Sequence, residues 1–182
     1  MADTFYWYDL ETTGTNPKWD RIVQFAGLRT DAELNPVGEP LCFYMQLPED
    51  VLPNPDASLV TGITPSKLAA KGVSEYEGLQ KIMQELNTPE TCALGYNNLR
   101  FDDEFLRYSL YRHLQDPYAR EYRNGNTRWD MVDLVRAAGA LRRDGIYWPV
   151  DEDGQAVYTL EELTKANGCL LYTSDAADDV EC

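Results

Sequence analysis

Three strand-forming runs near the start of the chain, each cut by turn signals, constrain the fold more than any other feature. Phe5-Tyr6-Trp7-Tyr8-Asp9-Leu10 is dense in residues that favour a pleated surface, and it gives way to Thr12-Thr13-Gly14 and Asn16-Pro17. Residues 21–30 read as a second strand, broken by Leu34-Asn35-Pro36-Val37-Gly38, and residues 41–47 as a third, ended by Pro48. The short links between them predict a meander. Pro53-Asn54-Pro55 reads as a break in regular structure. Beyond it the period changes. Thr64-Pro65 predicts an N-cap with proline in the first helical position, opening a short helix that Gly72 closes. Ser74-x-x-Glu77 has the form of a capping box, and Leu79, Ile82, Met83 and Leu86 follow as one apolar helical stripe. A short buried-type strand at 91–95, a helix over 100–113, a brief strand at 127–129 and helices over 133–141 and 160–166 complete the reading. Strands first, then alternating helices and strands, predict an α/β fold with a mixed β-sheet flanked by helices.

The chain's 182 residues suffice for one sizeable core, and 43% hydrophobic content is that of a globular protein. No apolar run reaches the roughly 20 residues of a membrane span, and the first residues lack a secretory pattern. With four scattered cysteines and one histidine, a thiolate–imidazole zinc site is a poor fit; free thiols and a cytoplasmic location are the expectation. A net charge of -15 argues against coating nucleic acid by bulk electrostatics. It leaves room for a nuclease, because divalent cations held by carboxylates invert the field that a phosphate meets.

Asp9 and Glu11 stand two apart on the first predicted strand, so both project from one sheet face. They share it with Phe5 and Trp7, a row expected to head into the core. Two neighbouring carboxylates repel unless neutralised. A pair of divalent cations about 4 Å apart neutralises them and suits in-line displacement at phosphorus. Oxygen ligands of this kind favour Mg2+, with Mn2+ as the alternative. An Asp-x-Glu pair alone is a weak signal. Further along, Arg107, Tyr108, Tyr111, Arg112, Tyr118, Arg120, Tyr122 and Arg123 form a basic and aromatic cluster in an otherwise acidic chain. Such a surface suits single-stranded nucleic acid, with tyrosines stacking on bases and arginines meeting phosphate. His113, at the far end of the 100–113 helix, reads as an amphipathic-edge histidine.

Asp9-Leu10-Glu11-Thr12-Thr13-Gly14, Ile22-Val23-Gln24-Phe25-Ala26 and Thr61-Gly62-Ile63-Thr64-Pro65 resemble the DEDD 3′–5′ exonuclease superfamily. The stretch from Gly95 to Glu104, then Asp116-Pro117-Tyr118-Ala119, Arg128-Trp129-Asp130 and Leu163-Thr164-Lys165-Ala166-Asn167-Gly168, narrow the resemblance to its exonuclease I branch. It runs in order from Phe5 to Gly168. The resemblance implies a ribonuclease H-like fold and two-metal hydrolysis of single-stranded DNA to mononucleotides in DNA repair, with two Mg2+ per site. It implies Asp9, Glu11 and Asp102 as catalytic metal ligands, and Arg107, Tyr118, Tyr122 and Arg136 as DNA contacts. Single-strand DNA-binding protein is an implied partner, through regions beyond this sequence. Asp103 and Glu104 fit better as helix N-terminal acids stabilised by the macrodipole.

The resemblance fails in places. The family carries a histidine as general base five residues before its fourth aspartate; here Ser174 stands five before Asp179, and serine cannot serve as that base. Thr159 stands where a substrate-contacting arginine is expected. The expectation is an exonuclease domain over 1–168, incomplete at its C-terminal end, and an atypical acidic tail over 169–182, with Asp179 at most a fourth metal ligand. An RNA-trimming or proofreading-type exonuclease and an inactive single-strand-binding fragment are the alternatives.

Overall fold

The computed structural model of the protein describes residues 3–169. Five strands form one sheet: β1 (Thr4–Thr12), β2 (Ile22–Thr30), β3 (Leu41–Tyr44), β4 (Thr91–Gly95) and β5 (Thr127–Asp130), in the order β3-β2-β1-β4-β5. β1 to β3 are antiparallel neighbours, the expected meander, while β4 and β5 add parallel to β1 through helical crossovers. Six helices accompany them: α1 (Pro55–Thr61), α2 (Pro65–Lys71), α3 (Glu75–Leu86), α4 (Asp102–Arg112), α5 (Met131–Leu141) and α6 (Leu160–Ala166). The α/β reading with a mixed, helix-flanked sheet holds.

Local chemistry sets the boundaries. The Thr64 and Ser74 hydroxyls accept from the Lys67 and Glu77 N–H groups at 3.2 Å each, capping α2 and α3 as their sequences predict. Pro53-Asn54-Pro55, read as a break, instead starts a helix. The Asn54 side chain accepts from the Asp56 N–H and Pro55 takes the first turn, where its missing donor costs nothing.

The larger of two hydrophobic clusters lies on one face of the sheet, and a smaller one gathers Val23, Tyr44, Ile63 and Leu68. Tyr6, Tyr8 and Leu10 of β1 pack with Phe25 and Phe43 against Leu79, Ile82 and Leu86 of α3 and Phe105, Leu106 and Leu110 of α4. The row Phe5, Trp7, Asp9 and Glu11 therefore points away from this core, contrary to the expectation. Aromatic residues occupy both faces of β1, so composition leaves the choice open; the apolar stripes of α3 and α4 decide it by covering the Tyr6 side. Phe5 and Trp7 remain half-buried on the other face.

Cys92, buried, and Cys169, exposed, are free thiols; Cys42 is disulfide-bonded, so the expectation of free thiols throughout does not hold. Among the described residues no helix is long and apolar enough to cross a membrane. Replacement of Leu106, which is fully buried at the centre of this core, by alanine is expected to destabilise the fold by about 2–5 kcal/mol in urea unfolding.

Candidate active site

The acid pair and the third acid come to the junction of β1 and α4 by different routes. Strand β1 delivers Asp9 and Glu11 at its end, where the register with β2 shifts between Glu11 and Thr12. Helix α4 delivers Asp102 at its first turn. Asp102 is 3% exposed, and one carboxylate oxygen accepts the Leu10 N–H at 3.1 Å. Leu10 lies between Asp9 and Glu11, so this single bond seats the start of α4 against the strand segment that carries both acids.

Electrostatics mark the three as unsatisfied. Burial raises the Asp9 carboxyl above its ordinary value. Burial, reinforced by the Asp9 charge, pushes Glu11 up to about 7 and Asp102 up to about 8. Among the described residues no Lys, Arg or His forms an ion pair with any of them. The neighbouring Asp103 is the opposite case. It accepts from the Tyr8 hydroxyl at 2.6 Å, Arg120 at 2.5 Å and Arg128 at 2.6 Å, and its pKa is held below the usual range despite burial. Glu104 pairs with Arg107. Sequence alone could not choose among the three consecutive acids; geometry leaves Asp102 as the one without a cation.

All the donors of Asp9, Glu11 and Asp102 are oxygens of like charge, a set that fits a hard divalent cation. They line the junction of β1 and α4, and among the described residues no three acid, histidine or cysteine side chains close around a single point. Asp179 and Ser174 lie outside the described residues. His113 belongs elsewhere. Its Nε2 lies 3.1 Å from Glu75, its ring packs beside Tyr76, and it sits roughly 16 Å along the helix from Asp102.

The expected DNA contacts divide. Tyr118 and Tyr122 are exposed, at 53% and 62%. The Arg107 guanidinium lies 5.1 Å from the Tyr118 ring centre, but it is already engaged by both oxygens of Glu121, at 2.8 and 3.0 Å, and by Glu104. Arg136, on α5, lies 3.6 Å from Asp133 and is half exposed. Thr159 caps α6 without a side-chain bond. An open hollow of about 320 Å³ lies beside Glu11, lined by Leu10, Thr12, Asn54, Val60 and Phe101.

Sequence reasoning left Asp130 and Arg128 unassigned and counted Arg120 in a nucleic-acid-facing cluster, whereas the structure buries Arg120 against Asp103. Asp130 pins the loop before α4 and caps α5 at once, accepting the Asn97 and Val132 N–H groups at 2.8 and 3.0 Å. Arg120, 3% exposed, and Arg128 hold Asp103. Arg128 and Asp130 fall inside a quoted motif; their partners come from distant elements, which no local pattern reveals.

The raised acids give stability a pH signature. A carboxyl whose folded pKa exceeds its unfolded one favours the folded state at low pH, and that contribution is lost as pH rises through the folded value. In chelator-containing buffer the wild type is expected to lose stability between about pH 4 and 8, and Asp102→Asn to lose less over the same window, in urea unfolding repeated across pH.

Comparison with known proteins agrees with this geometry. The exonuclease family model matches residues 6–180. Exodeoxyribonuclease I of Haemophilus influenzae is 52% identical over 164 residues, covering 90% of this chain and 35% of that protein. The crystal structure of Escherichia coli exonuclease I with a dA16 oligonucleotide superposes with a TM-score of 0.89 at 50% identity, covering 91% of this chain and 36% of that one. A zinc-bound form of the Escherichia coli enzyme with single-stranded DNA has a TM-score of 0.89 at 47% identity, covering 95% of this chain and 37% of that one. The chain thus spans about a third of the length of these relatives. With a mixed ribonuclease H-like sheet, two acids at the end of its first strand and a third at the start of α4, the chain belongs to the exonuclease family.

Proposed function

We propose that this chain is the catalytic portion of a 3′–5′ exonuclease that removes mononucleotides from single-stranded DNA. The observation that carries the reading is the bond from the Leu10 N–H to Asp102, which sets that buried acid beside the strand segment carrying Asp9 and Glu11, with no cation paired to any of the three among the described residues. Those three carboxylates would hold Mg2+, with Asp179 as a proposed fourth ligand. When bound, the cations supply water activation and charge stabilisation at the terminal phosphodiester.

The chain's own groups supply position. The hollow beside Glu11 has room for a terminal nucleotide, with Leu10, Val60 and Phe101 as apolar walls and Asn54 as a polar one. Tyr118 and Tyr122 offer exposed rings on which bases of any identity can stack. Arg107 braces Tyr118 from below and, being already paired, contributes orientation more than free charge. Arg136 is the better phosphate contact, because its one ion pair among the described residues is loose and exposed. The relative at 52% identity is an exodeoxyribonuclease, which favours DNA over RNA as substrate.

The test uses 5′-labelled single-stranded DNA and RNA oligomers of one sequence with Mg2+. Stepwise shortening of the DNA from its 3′ end, faster than that of the RNA and abolished by Asp9→Ala with Glu11→Ala, is expected. Equal activity in that double variant would sink the reading. Binding of DNA without any shortening would replace it by the inactive-module alternative.

A further inference from the structure

We infer that Asp103, with Arg120 and Arg128, is the positioning centre that sets Asp102 against Asp9 and Glu11, and so fixes the chain's affinity for divalent cations. This rests on the function proposed above. Helix α4 begins at Asp102 without a side-chain cap, because its N-cap residue is Phe101. Something else must fix the direction of its first turn. Asp103 does so, with no exposed surface of its own. One carboxylate oxygen takes the Tyr8 hydroxyl at 2.6 Å and Arg120 at 2.5 Å; the other takes Arg128 at 2.6 Å. The Asp103 N–H in turn donates to the Asn98 carbonyl at 2.8 Å.

The consequence is geometric. Tyr8 is adjacent to Asp9 on β1 and points to the opposite face, so holding Tyr8 holds the strand that presents Asp9 and Glu11. Residues 102 and 103 stand about 100° apart around a helix axis of 3.6 residues per turn. With Asp103 locked toward Tyr8, Arg120 and Arg128, Asp102 is directed to the Leu10 N–H. Both halves of the acid set thus hang on one carboxylate that never reaches the site. A second ion cluster on the same helix, Glu75 with Arg112 at 2.7 Å and His113 at 3.1 Å, serves as its control. It ties α3 to the far end of α4, roughly 15 Å away by helix rise.

The experiment measures Mn2+ affinity of the full chain by electron paramagnetic resonance, alongside urea unfolding, for wild type, Asp102→Asn, Asp103→Asn and Glu75→Gln. Asp102→Asn is expected to weaken binding and so place the ion at this site. Asp103→Asn is expected to weaken it by about 10–100-fold, the usual effect of losing an outer partner of a metal ligand. Glu75→Gln is expected to lower stability while leaving affinity within about twofold of wild type, below that outer-partner range. Asp103→Asn binding as wild type does while folded would overturn the inference and leave the function intact. Wild type binding no Mn2+ would overturn both. Should Asp103→Asn fail to fold, Arg128→Gln decides, since that side chain is 30% exposed and Asp103 keeps Tyr8 and Arg120. A loss beyond about twofold, toward the outer-partner range, supports the inference, and an unchanged affinity overturns it.

Discussion

A buried carboxylate with two guanidiniums and a phenol around it is the interaction on which the rest of this structure depends. Asp103 joins β1 through Tyr8, α4 through its own backbone, β5 through Arg128 and the turn after α4 through Arg120. Burying such charges is costly, and a buried pair is no guarantee of net stability. Removing one member is another matter, because it strands the remaining charges in a poor solvent. The network ties four segments together through directional bonds, with ion pairs at 2.5–2.6 Å.

Against this satisfied centre, the adjacent acids are left unsatisfied. One residue along the helix, Asp102 has a backbone N–H and no counter-charge, and it faces Asp9. Folding works against the mutual repulsion of these groups unless protons or cations relieve it. The same feature that weakens the folded state near neutral pH is what, on the proposed reading, would favour divalent cations at the site. Stability and the proposed cation binding would thus be linked through the same three side chains.

The sequence made much of the fold legible, for identifiable reasons. Turn residues mark the ends of β1 and β2, and the threonine and serine caps of α2 and α3 announce themselves by hydroxyl and spacing. Helix α1 escaped because Pro-Asn-Pro reads equally as a break and as an N-cap followed by a first-turn proline. The face of β1 was misread because aromatics alternate with aromatics, and only partners 70 to 100 residues away settle it. Asp9 and Glu11 were visible as a pair, whereas the choice of Asp102 over Asp103 depends on Arg120 and Arg128, which no local pattern connects to it. The four proposed DNA contacts were named by resemblance, but the pairing of Arg107 with Glu121 could be seen only in three dimensions.

That pairing has a consequence for how a strand would be held. Arg107, Arg120 and Arg128 are matched by Asp103, Glu104 and Glu121, so the ground beneath Tyr118 is electrically almost neutral. Free arginines on a binding surface displace condensed counterions from the nucleic acid, which makes affinity fall steeply with ionic strength. Guanidiniums already matched by carboxylates displace few. On the proposed reading, a strand lying on Tyr118 would be held there by ring stacking on a braced aromatic, and the grip of that contact would change little between dilute and concentrated salt.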